Sequence, residues 1–202
     1  MPKISAVFSD VGGVLLTNGW DHRQRKNLVE HFGLDREDFE DRHQLLSAAL
    51  DTGQLGIDHY LDRAIFCRPR SFSKQAVLDF MYAQSEEIPG SLALMARLAQ
   101  TRLFLATLNN ESRELNLYRI EKFGLRNYFP IFFSSCFLGV KKPDEPIYHL
   151  ALDLSQRPPE ECIFIDDRPL NLECARRLGI HTIQFLNAGQ LESDLRGLGL
   201  EF

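Results

Sequence analysis

Four short stretches of the 202-residue chain hold side chains that could do chemistry together. Asp10 opens Asp10-Val11-Gly12-Gly13 after a short apolar run, and Asn109-Asn110 follow Leu103–Leu108. Lys142 stands in Gly139-Val140-Lys141-Lys142-Pro143, and Asp166-Asp167 follow Cys162–Ile165. Three carboxylates gathered at one place repel one another unless a cation compensates them. The donors are hard oxygens with no thiol or imidazole beside them. That set suits Mg²⁺, which takes one or two carboxylates and keeps positions for water and phosphate oxygens. An acid before Pro169 would cap the helix that begins there, but one acid suffices for a cap, so the pair points to a metal. Gly12 and Gly13 let the backbone come close to a ligand.

Such residues need a scaffold that joins distant points of the chain. Apolar runs of strand length recur at Ile4–Phe8, Leu103–Leu108, Ile131–Phe133, Cys162–Ile165 and His181–Phe185. Their near-continuous hydrophobicity fits parallel strands covered on both faces. Helical periodicity fills the gaps at Ser91–Gln100, Glu111–Phe123, Glu145–Leu154 and Pro169–Leu178, with Gly124 and Gly179 placed as C-terminal caps. The alternation predicts an α/β fold, a Rossmann-like doubly wound parallel sheet whose strand ends converge on one edge. Residues 19–88 break the rhythm with helical patterns at Asp21–Phe32, Arg36–Leu50, Ile57–Phe66 and Ser73–Tyr82 and no buried strand. The expected organisation is a core of residues 1–18 and 89–202, with an all-helical cap, residues 19–88, inserted after the first strand over the ligand-binding edge.

The net charge of −5 argues against nucleic acid or an anionic membrane surface as a partner. It is compatible with a small anionic ligand held in a locally positive site. No stretch approaches the ~18 apolar residues of a membrane span, and the N-terminal segment does not read as a signal peptide. Cys67, Cys136, Cys162 and Cys174 form no CxxC pair and read as reduced, mostly buried thiols. The expectation is a cytoplasmic protein. Oligomeric state has no signature in the sequence.

The stretches SDVGGVLL, TLNNES, GVKKPDEPIY and FIDDRPLNLECARRLGI, in this order and each at the end of a strand, resemble the four motifs of the haloacid dehalogenase-like (HAD) superfamily. The acidic pair resembles the metal-binding pair of that family's phosphatases. The true dehalogenases need no metal and carry Ser in that region. The resemblance therefore implies a Mg²⁺-dependent hydrolase of small phosphomonoesters, with a small phosphorylated metabolite as its partner. The DxGG form of the first motif resembles a branch that includes sugar-phosphate phosphatases. Asp10 would be the nucleophile, attacking phosphorus to give an aspartyl-phosphate that water then hydrolyses. Asp10, the Gly12 carbonyl, Asp166 and Asp167 would hold Mg²⁺, Asp167 directly and Asp166 directly or through water. Lys142, with Lys141 as the alternative, would offset the charge of Asp10 and the phosphoryl group. Asn109 and Asn110 would bind phosphate, Asn109 in the place usually held by Ser or Thr. Gly13 and Asn171 would support these loops, Asn171 completing a DDxxxN pattern.

One position departs from the pattern. The family's phosphatases usually carry a second Asp two residues after the nucleophile, which protonates the leaving alkoxide and later activates water. Gly12 stands there and cannot transfer a proton, a function that typically contributes ~10²–10⁴-fold. Three readings stay open: a cap residue or metal-bound water replaces the acid, the leaving group needs none, or the protein is a catalytically weak binder of a phosphorylated ligand. Cap residues expected near substrate are Asn18, Trp20, Asp21, His22 and Arg23. Trp20 is either a platform for substrate or hinge packing. His22 is a candidate proton carrier, because imidazole titrates near neutrality. Arg68 and Arg70 flank Pro69 and offer charge for a phosphate.

Overall fold

The computed structural model describes residues 3–202, so the first two residues of the expected core segment lie outside the described residues. Among the described residues, β1 (Ala6–Ser9), β2 (Phe104–Asn109), β3 (Ile131–Ser134), β4 (Cys162–Asp166) and β5 (His181–Gln184) form one sheet. Their order is β3-β2-β1-β4-β5, and every pairing is parallel. β2 and β4 run one residue further than their apolar runs, because Asn109 still pairs with Ser134 and Asp166 with Gln184. The sheet ladder therefore carries these polar residues to its carboxyl edge.

Successive side chains on a strand point to opposite faces, and the two faces have separate cores. Val7, Leu105 and Ile163 join one cluster; Ala6, Phe8, Ala106 and Phe164 join the other. Between β1 and β2 lie α1 (His22–Phe32), α2 (Arg36–Asp51), α3 (Ile57–Ala64), α4 (Lys74–Ala83) and α5 (Ser91–Leu98). After β2 come α6 (Arg113–Lys122), α7 (Ser135–Leu138), α8 (Glu145–Ser155), α9 (Pro169–Arg177) and α10 (Ala188–Gly197). Helices α5, α6 and α10 cover the first face and α8 and α9 the second. This is the doubly wound α/β arrangement that the alternating pattern predicts.

Helices α1 to α4 bury Leu28, Phe39, Tyr60, Leu61, Val77 and Met81 in a third cluster of their own. Each fully buried large apolar side chain contributes ~1.5–3 kcal/mol. Short helices gain most of their stability from such packing rather than from propensity. Asp21, Asp35 and Ser73 start α1, α2 and α4 by accepting a backbone N–H. Helix α6 begins at Arg113 rather than Glu111, which leaves Asn110–Ser112 as a loop on the sheet edge. Among the described residues, no helix is long and apolar enough to cross a membrane. Cys67 is exposed and the other three thiols are buried.

The chain moves from β1 to β2 and β3 on one side, then to β4 and β5 on the other. The topological switch falls between β1 and β4, and open α/β sheets bind ligands outside the carboxyl ends of strands at such a point.

Candidate active site

Ser9 pairs with Ile165 across β1 and β4, so Asp10 and Asp166 follow side by side on neighbouring strands. The Asp10 N–H donates to the Ile165 carbonyl at 2.8 Å, and the Val11 N–H donates to Asp10 Oδ1 at 2.7 Å. Lys142 lies between the two acids. Its Nζ is 2.9 Å from Asp10 Oδ2 and 2.6 Å from Asp166 Oδ2, and its side chain is 1% exposed. Burial pulls the Lys142 ammonium down, but Asp10 and Asp166 more than offset that and leave it above its ordinary value. Burial, reinforced by Asp166 and opposed by Lys142, pushes the Asp10 carboxyl up.

The loops around this trio are pinned by amides. Asn110 Oδ1 accepts the Lys142 N–H at 2.9 Å, and Asn110 Nδ2 donates to the Lys142 carbonyl at 2.8 Å, a two-point clamp on the lysine's backbone. Asn171 Nδ2 donates to both Asp166 oxygens at 3.0 Å, and the Arg168 N–H donates to Asp166 Oδ1 at 2.8 Å. Asn171 thus binds the first acid of the pair from the first turn of α9. Gly13 has φ +80, and a Cβ there would lie 2.4 Å from Asp167 Oδ2. The position needs glycine for its backbone and for the carboxylate beside it.

Asp10, Asp166 and Asp167 each offer an oxygen, and the three oxygens lie within 4.8 Å of one another. Asp167 Oδ1 is buried without a hydrogen-bond partner. Burial and Asp166 raise its carboxyl above the usual range. An orphaned buried acceptor beside two further carboxylates is what a hard divalent cation would satisfy. The residues present therefore fit Mg²⁺.

These groups open onto a cavity of about 390 Å³. Gly12, Asn110, Lys141, Arg168 and Asn171 line it from the core side; Asn18, Trp20, Asp21, Arg25 and Asp51 line it from the first loop and the helical insertion. Lys141 bonds Asp51 at 2.7 Å and Arg168 bonds Asp21 at 2.9 Å, so two ion pairs join the insertion to the core across the cavity. Arg25 is held by Glu40 and donates to the Trp20 carbonyl. Trp20 packs against the insertion's apolar cluster and donates Nε1–H to the Tyr60 hydroxyl at 2.9 Å.

Two expectations need correction. Asn109 is 2% exposed and is not among the residues that line the cavity. Its amide donates to Asn116 Oδ1 at 3.0 Å and accepts from the Ser134 hydroxyl at 2.8 Å, so the side chain is committed to a buried network rather than to phosphate. His22 is outside the cavity lining, and its side chain is 82% exposed. Asp21 caps α1 by accepting the His22 N–H, and this capping turns residue 22 outward. Arg23 is exposed, Arg68 reaches Asp38 and Arg70 reaches the Ile65 carbonyl; none of them lines the cavity.

A buried ion pair goes beyond the sequence reading. Arg119 Nη1 donates to Glu111 Oε2 at 3.0 Å, with the two side chains 3% and 6% exposed, and both residues line the cavity. Burial lowers the guanidinium and raises the carboxyl, and each partner opposes the other's shift. A signal existed: Arg119 falls in the buried stripe Leu115, Asn116, Arg119, Ile120 of α6, and a charge at helical spacing among buried positions needs a partner.

The class of protein that this fold and site define is matched by comparison. The family model for haloacid dehalogenase-like hydrolases matches residues 4–179, and the chain belongs to that family. Flavin mononucleotide hydrolase 1 of Arabidopsis thaliana, a chloroplast protein, is 29% identical over 181 residues, 87% of this chain and 71% of that one. Glyceraldehyde 3-phosphate phosphatase of Pyrococcus furiosus is 28% identical over 206 residues, 96% of this chain and 86% of that one. Four further matches are to much larger proteins, of which this chain spans 6–13%. Among solved structures, a HAD family enzyme from Bacteroides thetaiotaomicron superposes with a TM-score of 0.80 at 22% identity, covering 96% of this chain and 98% of that one. The same enzyme in complex with magnesium and inorganic phosphate gives a TM-score of 0.77 at 20% identity, with 91% and 95% covered.

Proposed function

We propose that the protein is a Mg²⁺-dependent hydrolase of small phosphomonoesters that works through an aspartyl-phosphate on Asp10. The observation that carries this reading is the buried Lys142, held between Asp10 and Asp166 at the switch point of the sheet. The relatives named as a flavin mononucleotide hydrolase and a glyceraldehyde 3-phosphate phosphatase support it.

Asp10, Asp166 and Asp167, with the Gly12 carbonyl, would hold Mg²⁺, which when bound draws charge from the phosphoryl oxygens and orients them. Asp10 Oδ attacks phosphorus, the bond to the leaving oxygen breaks, and the aspartyl-phosphate forms. Water then attacks phosphorus, releasing inorganic phosphate and restoring the carboxylate. Lys142 counters the negative charge that gathers on Asp10 and the phosphoryl group, from a site where water cannot weaken it. Asn110 fixes Lys142 through its backbone, and Asn171 fixes Asp166. Residues 19–88 act as a cap over the cavity, with Trp20, Asp21 and Arg25 facing the part of the substrate beyond the phosphate. The Asp21–Arg168 and Lys141–Asp51 pairs close the cap onto the core.

Asp10→Asn tests the reading. It preserves shape and removes the nucleophile, so turnover of an aryl phosphate should vanish, and no phosphoryl group should appear on the chain by intact mass. Near wild-type turnover in Asp10→Asn would refute covalent catalysis.

A further inference from the structure

Residue 12, where the family's phosphatases carry an acid, has no side chain, yet the space it would use is not empty. A Cβ built on Gly12 would lie 3.1 Å from Asn18 Oδ1 and 3.8 Å from Arg119 Nη1. A side chain at 12 would therefore project toward the guanidinium. That guanidinium is fixed from two sides. Nη1 donates to Glu111 Oε2 at 3.0 Å, and Nη2 donates to the Thr17 carbonyl. Gly19 makes room for the pair, since a Cβ there would lie 1.8 Å from Glu111 Oε2 and 2.8 Å from Arg119 Nη1. The Arg119 Nε is buried with no partner, so donor capacity remains on the side chain. Glu111, Arg119, Gly12, Gly19 and Asp10 all line one cavity.

A guanidinium stays charged across the physiological range and is a poor proton donor. What it can do is stabilise an oxygen that becomes negative, through N–H groups already aimed and already shielded from water. We propose that Arg119 takes over, by charge rather than by proton transfer, the leaving-oxygen role that Gly12 cannot perform. Glu111 is a positioning residue for it. The inference rests on the aspartyl-phosphate reading above. As Asp10 Oδ bonds to phosphorus, the bond to the leaving oxygen breaks with its electron pair on that oxygen. The oxyanion departs against Arg119 and takes its proton from water afterwards. The substrate class follows: phosphates whose leaving oxygen is stable unprotonated, such as acyl, enol, aryl and anomeric sugar phosphates, in preference to esters of primary alcohols such as those for which the two relatives are named.

The test uses the full-length chain with Mg²⁺ and a series of acetyl phosphate, graded aryl phosphates, glucose 1-phosphate and glucose 6-phosphate. Rates of phosphoenzyme formation and decay are read separately by rapid quench and intact mass. For the wild type, formation should fall steeply with leaving-group pKa. The primary ester should trail the activated substrates by at least the ~10²–10⁴-fold that an acid would have supplied. Arg119→Gln should lose further activity in proportion to leaving-group pKa, while decay of the preformed phosphoenzyme, whose leaving group is the Asp10 carboxylate and not a substrate oxygen, stays unchanged. Arg119→Lys should fall between the two, and Glu111→Gln should shift the slope in the direction of Arg119→Gln. A shallow wild-type slope would overturn the proposal, as would an equal loss for every substrate in Arg119→Gln. Should Arg119→Gln not fold, an Arg119→Lys slope identical to wild type would overturn it as well. Failure of the wild type to form any phosphoenzyme from acetyl phosphate would instead sink the aspartyl-phosphate reading beneath it.

Discussion

Replacing Lys142 by Met removes the charged terminal nitrogen while keeping most of the apolar stem above Phe164, whose ring centroid is 5.2 Å from Nζ. The ammonium sits 2.9 Å from Asp10 and 2.6 Å from Asp166. At an effective dielectric of ~20 each contact is worth roughly 6 kcal/mol of Coulomb energy. Most of this is offset by the dehydration of three ions, and removing one partner from such a buried cluster costs ~3–5 kcal/mol net. Asp166 keeps bonds from Asn171 and the Arg168 N–H, whereas Asp10 keeps only that from the Val11 N–H. The cost therefore falls chiefly on Asp10 and lies toward the lower end of that range. For a chain of this size each kcal/mol moves the melting midpoint by ~2–4 °C, so a cost of ~3 kcal/mol should lower the melting point of Lys142→Met by ~6–12 °C in EDTA. Mg²⁺ should return part of that stability by compensating the same carboxylates. Turnover of an aryl phosphate should still drop by ~10²-fold or more, because the lysine's charge on the phosphoryl group is gone. Parallel urea and thermal unfolding in EDTA and in Mg²⁺ provide the assay. A loss under ~1 kcal/mol in EDTA would refute the argument, since an uncompensated buried carboxylate pair cannot be that cheap.

Four further outcomes are expected. Asp167→Ala should raise the Mg²⁺ concentration needed for half-maximal turnover while barely changing stability in EDTA, because Asp167 Oδ1 has no partner to lose. Asp166→Ala should instead unfold more readily, with Lys142 and Asn171 left unpaired, and the two variants can be separated by metal titration and melting together. Gly13→Ala should lose ~1–3 kcal/mol from its left-handed backbone and should bind Mg²⁺ more weakly, since its Cβ would displace Asp167. Burial, helped by Arg25, holds the His43 imidazole down at about 4 from an ordinary 6.5. The unfolded chain then takes up a proton that the folded one refuses, so stability declines as pH falls from 6.5 to about 4 and levels off below. Screening around the half-buried ring reduces the effect to ~1–2 kcal/mol. Urea midpoints at pH 7 and pH 4.5 should show His43→Gln losing less than wild type, and an equal loss would exclude His43 as the cause.

Much of the fold was legible because parallel strands buried on both faces leave near-continuous apolar runs. The acids that close β1 and β4 interrupt those runs abruptly. Asp10 and Asp166 could be placed together for that reason, since their positions follow from where hydrophobicity stops. The orientation of Asn109 was not legible. Its partners, Asn116 on α6 and Ser134 at the end of β3, are brought to it by packing alone, and nothing in TLNNES says which of two adjacent amides turns inward. The contribution of Arg25 and Asp51 was hidden similarly, because helix-to-core docking decides which exposed-looking charges face the cavity. His22 was misread because its neighbour's capping duty, a local rule, outweighed its nearness to the site in sequence.

The cations around the cavity all have carboxylate partners: Arg25 with Glu40, Lys141 with Asp51, Arg168 with Asp21, Arg119 with Glu111, and Lys142 with Asp10 and Asp166. An opening with so little unbalanced positive charge sets up no long-range field to draw anions from solution. Under the proposed function, arrival of a phosphorylated molecule would be governed by diffusion and shape, and its rate should be nearly flat from low to physiological ionic strength. Selection would follow entry, when ligand oxygens compete with Asp21 for Arg168 and with Asp51 for Lys141, while Asp10, Asp166 and Glu111 keep their places. Such an exchange favours molecules that carry hydroxyls to bond the displaced acids as well as a phosphate to meet the bases.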